Sequence, residues 1–342
     1  MLPKHIPRTD PGELLRCKES SQGMDKVLNS HTEISKADAA LAHEVDDALW
    51  KDAAFRATEY DNIDVRVHNG IVHLLGHVSG LTNQHRAERK LQTIPGLLGV
   101  NNYLIPDDRL LSEVAAALGS LEQTFNCKFF TGVSHGVVLL SGDVSDAKVK
   151  LLAEKCAAGN SNVRGVINSI HVTGSELDGQ DQPFLQPSIG EEIFFLNGIS
   201  GVVRQVIINP DNRRVVAMTI QGRFTNRRQD LKSLNNGEAQ RPDRLIVLSM
   251  DLVRYMTKVS GFLNINSREK NRYMDFDPAS FITPNVNWVP PYPYCNGDVL
   301  FPIEYRDVEN QIVQQPNRSP FNIALEDQSM RELMPANDSL GG

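Results

Sequence analysis

The sequence predicts an α+β fold: two αββαβ sandwich repeats, then a small antiparallel β-barrel and an extended proline-rich tail. Three observations carry this reading. A glycine-marked turn with β-forming flanks occurs at His68–Ser79 and again, in the same register, at Ser134–Ser145. From Gly190 onward, strand-length apolar runs follow one another through tight polar turns without an intervening helix. Beyond Arg268, Pro278, Pro284, Pro290, Pro291, Pro293 and Pro302 oppose long helices and most central strands.

Residues 1–37 show neither helical nor strand periodicity and are expected to form a mobile arm. Leu41, Val45 and Leu49 then recur every four residues, one apolar stripe on a helix. Ile63, Val65 and Val67 alternate with Asp64, Arg66 and His68, the pattern of a strand with one wet face. Asn69-Gly70 suits a two-residue type I′ turn, which sets Val67 opposite Val72 and Val65 opposite Leu74. Ser79 is positioned to cap a helix over about Thr82–Thr93, Pro95-Gly96 ends it, and Gly99–Ile105 supplies a last strand. That completes a first unit over residues 38–107.

The second unit, residues 108–174, repeats the order. Leu110, Val114 and Leu118 renew the stripe, Phe129, Thr131 and Val133 the alternation, and Ser145 is positioned to cap a helix with Val149, Leu152 and Cys156. Gly70, Gly76, Ala87, Glu88, Gly99 and Asn102 each meet an identical residue 66 positions later, at Gly136, Gly142, Ala153, Glu154, Gly165 and Asn168. With these residues in place, both units resemble BON domains over about residues 38–174. The resemblance implies an αββαβ sandwich of envelope and osmotic-stress proteins that binds lipid surfaces or other envelope components and has no catalytic residues.

Residues 175–186 read as a polar linker. Residues 187–267 hold Ile189-Gly190-Glu191-Glu192-Ile193, then Gly201-Val202-Val203-Arg204-Gln205-Val206, then Arg214-Val215-Val216-Ala217-Met218, with Leu245–Val253 and Val259–Ile265 as a closing half. This series resembles a PRC-barrel, which implies protein or ribonucleoprotein docking and no enzyme chemistry. Residues 268–342 are the expected tail, in which Trp288, Tyr292 and Tyr294 can lay polyproline-like segments over a domain or a neighbouring subunit.

Composition narrows the partners. A net charge of −7 argues against uniform nucleic-acid coating, although Arg204–Arg244 holds nine basic residues against four acidic. Arg213, Arg214, Arg223, Arg227 and Arg228 are therefore the candidate contacts for an anionic partner, a membrane surface or RNA, with solvation or intersubunit pairing as the plainer roles. Cys17, Cys127, Cys156 and Cys295 form no C-x-x-C, so reduced thiols are expected and no zinc ribbon is signalled. His68, His73, His77 and His85 crowd the first unit, but strand residues four apart stand roughly 13 Å from each other, too far to share an ion. No metal and no cofactor are expected.

The second hairpin turns Phe130, Val137 and Leu139 outward, an apolar face that requires a cover: the sister repeat, another subunit or a lipid surface. No nucleophile elbow, Walker loop, dinucleotide fingerprint or H-E-x-x-H occurs, so no catalytic residue is assigned. The sequence thus points to a non-enzymatic bacterial scaffold or adaptor that self-associates and meets a membrane surface or a large protein assembly. An ion or small-ligand sensor and a ribonucleoprotein-docking factor are the alternatives. Without a signal-like segment or an apolar run of about 18 residues, the expected place is the cytoplasm, peripheral to the inner membrane.

Overall fold

The computed structural model describes residues 36–174, 183–224, 243–257 and 259–303. Residues 1–35 of the expected arm, 175–182 of the linker and 304–342 of the tail lie outside the described residues. The fold is α+β, and the first unit comprises α1 (Lys36–Trp50), α2 (Ala53–Thr58), β1 (Ile63–His68), β2 (Ile71–Val78), α3 (Leu81–Leu91) and β3 (Gly99–Pro106). β1 pairs antiparallel with β2 in the register the turn dictates, Val67 opposite Val72 and Val65 opposite Leu74. β3 returns parallel to β2, because α3 carries the chain back across the sheet. Val45, Leu49, Val72, Leu74, Leu91 and Leu104 close the core between helices and sheet.

The second unit has the same plan, with α4 (Asp107–Phe125), β4 (Phe130–Ser134), β5 (Val137–Val144), α5 (Ala147–Ala158) and β6 (Gly165–Val172). Its pairings repeat those of the first, antiparallel then parallel. Both hairpin turns take two left-handed residues, Asn69 and Gly70 at φ 50° and 73°, His135 and Gly136 at φ 48° and 78°. Each turn is gripped from the opening helix. The Asp38 carboxylate accepts from the amides of Asn69 and Gly70 at 3.1 and 2.8 Å, and Asp107 accepts from those of His135 and Gly136 at 2.5 and 2.9 Å.

The shared residues have shared work. Asn102 donates to Glu88 and accepts from the Leu104 amide, and Asn168 does the same with Glu154 and Ile170. At Gly76 (φ 122°) a Cβ would stand 2.1 Å from the Asn62 carbonyl oxygen, and at Gly142 (φ 136°) 2.5 Å from that of Lys128. Only glycine fits there. The serine caps are corrected: the N-caps are Gly80 and Asp146. Ser79 instead donates to buried Glu59, whose carboxylate also takes Asn83, while Asp108 of the second unit accepts from the Leu81 amide. A nearby carboxylate accepts more strongly than a serine hydroxyl.

The third unit is built from β7 (Glu192–Phe194), β8 (Ser200–Asn209), β9 (Arg214–Gly222), β10 (Arg244–Ser249), β11 (Val253–Met256), β12 (Ser260–Leu263), β13 (Met274–Asp275), β14 (Phe281–Ile282) and β15 (Val299–Pro302). The order is β11-β12-β7-β8-β9-β10-β13, with β15 also on β8. The expected purely antiparallel arrangement is corrected, since β7 with β12 and β8 with β15 are parallel pairs. Ten-residue β8 outruns three-residue β7, leaving Val206 and Ile207 to be paired by β15.

The boundary at residue 268 is corrected as well. Tyr273, Tyr294, Val299 and Phe301 share one core with Ile193, Val206, Met218 and Ile246. Proline spacing hid this, because Val299–Pro302 is a buried apolar run whose proline sits at its end, where it interrupts nothing.

The glycine geometry gives a contrast within one hairpin. Gly142→Ala is expected to cost about 2 kcal/mol or more, from a left-handed φ and a backbone clash, whereas Gly132→Ala meets only Leu139 at 3.8 Å and should be near neutral. Urea unfolding midpoints followed by circular dichroism check the difference.

Candidate docking faces and the junction that separates them

Strand alternation turns half of each sheet away from its helices. On the second unit the cross-strand rows are Phe130–Ser141–Ser169 and Gly132–Leu139–Ile167. Phe130 is 68% exposed and Leu139 41%. Val137, on the same face, is buried, and a Cβ on neighbouring Gly165 would stand 2.5 Å from the Phe184 ring. The linker therefore covers one end of this face and leaves the Phe130 end open.

The matching face of the first unit is covered. Every residue of β2 after Ile71 is buried, on both sides of the strand, including His73, Leu75 and His77. The His77 Nε2 meets the Asn162 carbonyl oxygen of the second unit at 2.8 Å, and the Tyr292 ring lies 6.2 Å away, edge-on. A carbonyl only accepts, so Nε2 carries the proton.

Two arginines fasten this cover. Arg213, in the left-handed part of the β8–β9 turn (φ 58°), is 3% exposed. It donates to the carbonyls of Val163 at 2.6 Å, Ser161 at 3.2 Å and Val289 at 2.7 Å, and lies over the Trp288 ring at 4.9 Å. One guanidinium so ties the second unit, the third and the Trp288 strap. Arg164 donates to Gln186 at 2.9 Å and to the His135 carbonyl at 3.1 Å, near the rings of Phe184 and Tyr292. Gln186 passes the link on, donating to the Tyr292 carbonyl at 2.6 Å.

Burial shapes the electrostatics. It lowers Arg213 to about 10 and pulls Arg164 and Arg214 down from the ordinary value, because a desolvated cation is disfavoured. It also raises the phenols of Tyr292 and Tyr294. Carbonyl oxygens, rather than carboxylates, satisfy Arg213, a neutral way to hold a buried charge.

Of the proposed anion contacts, Arg213 is corrected. Arg213 is enclosed, Arg214 donates to the Pro183 carbonyl at 2.9 Å, and Arg223 pairs with Asp243 at 3.2 Å. Arg227 and Arg228 lie outside the described residues. Trp288, Tyr292 and Tyr294 pack within this chain: Trp288 on Phe301, Tyr292 beside His77, and Tyr294 with its hydroxyl donating to the Pro187 carbonyl at 2.6 Å. The histidines part company, with His68 beside Asn69, His73 stacked on Tyr103 and His77 in the junction. Among the described residues no group of three or more His, Cys, Asp or Glu side chains converges as a metal site.

Sequence reading missed Arg164, Gln186 and the helix aspartates. Arg164 answers to Leu98 in the repeat register, and the two make the same backbone bond at 2.8 Å, to the Gly136 and Gly70 carbonyls. Nothing in one chain's sequence marks which of the pair turns into a junction.

Comparison with known proteins now bears on these two units. The family model of the BON domain matches residues 37–105 and 131–174. The tandem is BON-like. No curated protein matches the chain. Two solved structures of CdsD, a structural protein of the type III secretion system of Chlamydia trachomatis, one of its C-terminal domain, are similar at 15% identity and a TM-score of 0.32. Each similarity covers 39% of this chain and 61% or 64% of the CdsD chain.

Replacing Arg213 tests the junction. Arg213→Met keeps the apolar stem but leaves the carbonyls of Val163, Ser161 and Val289 without their donor, and a loss of about 2–4 kcal/mol is expected. Arg213→Lys should not restore it, since a point charge cannot serve three acceptors and stack on Trp288. Thermal unfolding of both variants gives the measurement.

Proposed function

We propose that this chain is a non-catalytic scaffold that docks on a membrane surface through the open face of its second BON-like repeat. One observation carries the reading: of two duplicated sheets, one has its outer face buried by the rest of the chain and the other leaves Phe130 and Leu139 exposed. Exposed aromatic and aliphatic side chains at a sheet face cost solvation free energy until something apolar meets them. The match to BON domains, a family associated with phospholipid surfaces, supports lipid as that surface. Exposed Lys128, two residues before Phe130, brings a cation to the rim.

The rest of the fold serves as a rigid holder. Arg213, Arg164 and the Lys155–Asp211 pair at 3.3 Å fix the third unit against the second, so the open face has a set orientation. Assembly partners recruited by the PRC-barrel-like third unit complete the scaffold reading. In a docked state the face buries the exposed parts of one phenyl and one isobutyl group, worth together about 2–3 kcal/mol.

Flotation with vesicles containing anionic lipid tests the reading. The wild-type chain should float, and Phe130→Ser with Leu139→Ser should lower its partition at least about tenfold with unchanged circular dichroism. Equal flotation of the double variant rejects this face, and a wild-type chain that stays with the soluble fraction rejects lipid in favour of a protein assembly.

A further inference from the structure

We infer that the contact between the two BON-like repeats is an acid-released latch whose titrating group is His77. The inference stands apart from lipid docking. His77 projects from β2 of the first repeat and is 1% exposed. Its Nε2 donates to the Asn162 carbonyl of the second repeat at 2.8 Å, and its Nδ1 is buried without a hydrogen-bond partner. Its ring fills the space above Gly136, where a Cβ would stand 2.5 Å from ring atoms. The site accommodates a neutral imidazole closely and offers a second proton no acceptor.

Its neighbours make that proton still less welcome. From the loop before β6 comes the Arg164 guanidinium, and from the β4–β5 turn His135, whose own Nδ1 is buried and unpartnered. The strap contributes Tyr292, a buried phenol that stays neutral, with Asp64 and Arg66 of β1 beyond it, paired to each other at 2.7 Å. From α4 comes Asp107, whose carboxylate holds the His135 and Gly136 amides. Burial lowers His77 from 6.5 to about 4, outweighing the opposing pull of the Asn162 carbonyl, and the Arg164 charge adds a smaller push in the same direction.

The sign follows from proton linkage. Above 6.5 His77 is neutral whether the repeats are joined or apart, and the latch is at full strength. As pH falls from 6.5 toward about 4, only the separated form takes the proton. The separated-to-joined ratio then rises by up to about tenfold per pH unit. Asp107 works the other way, since burial raises its carboxyl pKa and acid therefore does not open the contact through it. Opening would bare the outer face of the first repeat, including Leu75 and His73.

Hydrogen exchange of the full chain at pH 7.5 and 5.0, corrected for intrinsic rates and without lipid, reads the latch. In the wild type, peptides over 71–78 and 160–166 should exchange at least about tenfold faster at pH 5.0, while the Leu110–Leu118 core holds. His77→Gln keeps an N–H toward Asn162 but does not titrate, so its profile should match at both pH values. An acid response retained by His77→Gln, abolished instead by His135→Asn, or absent from the wild type overturns the inference. Should His77→Gln fail to fold, the His77 ring signals in wild-type spectra decide: a midpoint near 4 upholds the latch, and one near 6.5 ends it.

Discussion

A buried guanidinium fed by carbonyl oxygens is the contact on which the arrangement of this molecule rests. Arg213 reaches from a turn of the third unit into the loop before β6 and under the Trp288 strap, taking one acceptor or more from each. Desolvating a cation is costly, and the cost is recovered only while all three segments stay in place. That makes the junction cooperative: shifting any one segment leaves a buried donor unpaired. The relative placement of the units follows, and with it which sheet face is hidden and which is open.

The duplication explains what is common, and its breaking explains what is useful. Both repeats keep the aspartate that grips the hairpin turn, the glycine beneath a carbonyl and the asparagine–glutamate pair, because these set the αββαβ frame itself. The outer faces had no such duty and diverged. In the 66-residue register His77 answers to exposed Asp143 and Leu75 to exposed Ser141, so one face became a seat for neighbours and the other remained open. A frame of fixed backbone bonds with free outer positions is how one module can serve two roles in a single chain.

Much of the frame was legible because it depends on short-range rules. Alternation set the strands, Asn69-Gly70 set the register, and six identities spaced 66 residues apart marked the second copy. The first helix cap was misread because Glu59 and Asp108, which take Ser79 and the Leu81 amide, come from other elements, and the second was misplaced by one residue, since Asp146 accepts from the Lys148 amide. The proline-rich region was misread because prolines limit helices and ladders but say nothing of burial. Tyr273, Tyr294 and Phe301 enter a core despite them. Arginine counting failed for a related reason: the sequence counts charges, whereas Arg213 spends its own inside.

What the sequence by itself determined is the repeated unit, its register and its inward faces, since periodicity and turn chemistry act over a few residues and are repeated in the text of the chain. What only the tertiary structure decided is the fate of the outward faces. Burial of His77 beneath Asn162 and Tyr292, and exposure of Phe130, depend on contacts between residues 85 or more positions apart or on their absence. Such contacts are settled by how whole units pack, and no local pattern encodes them.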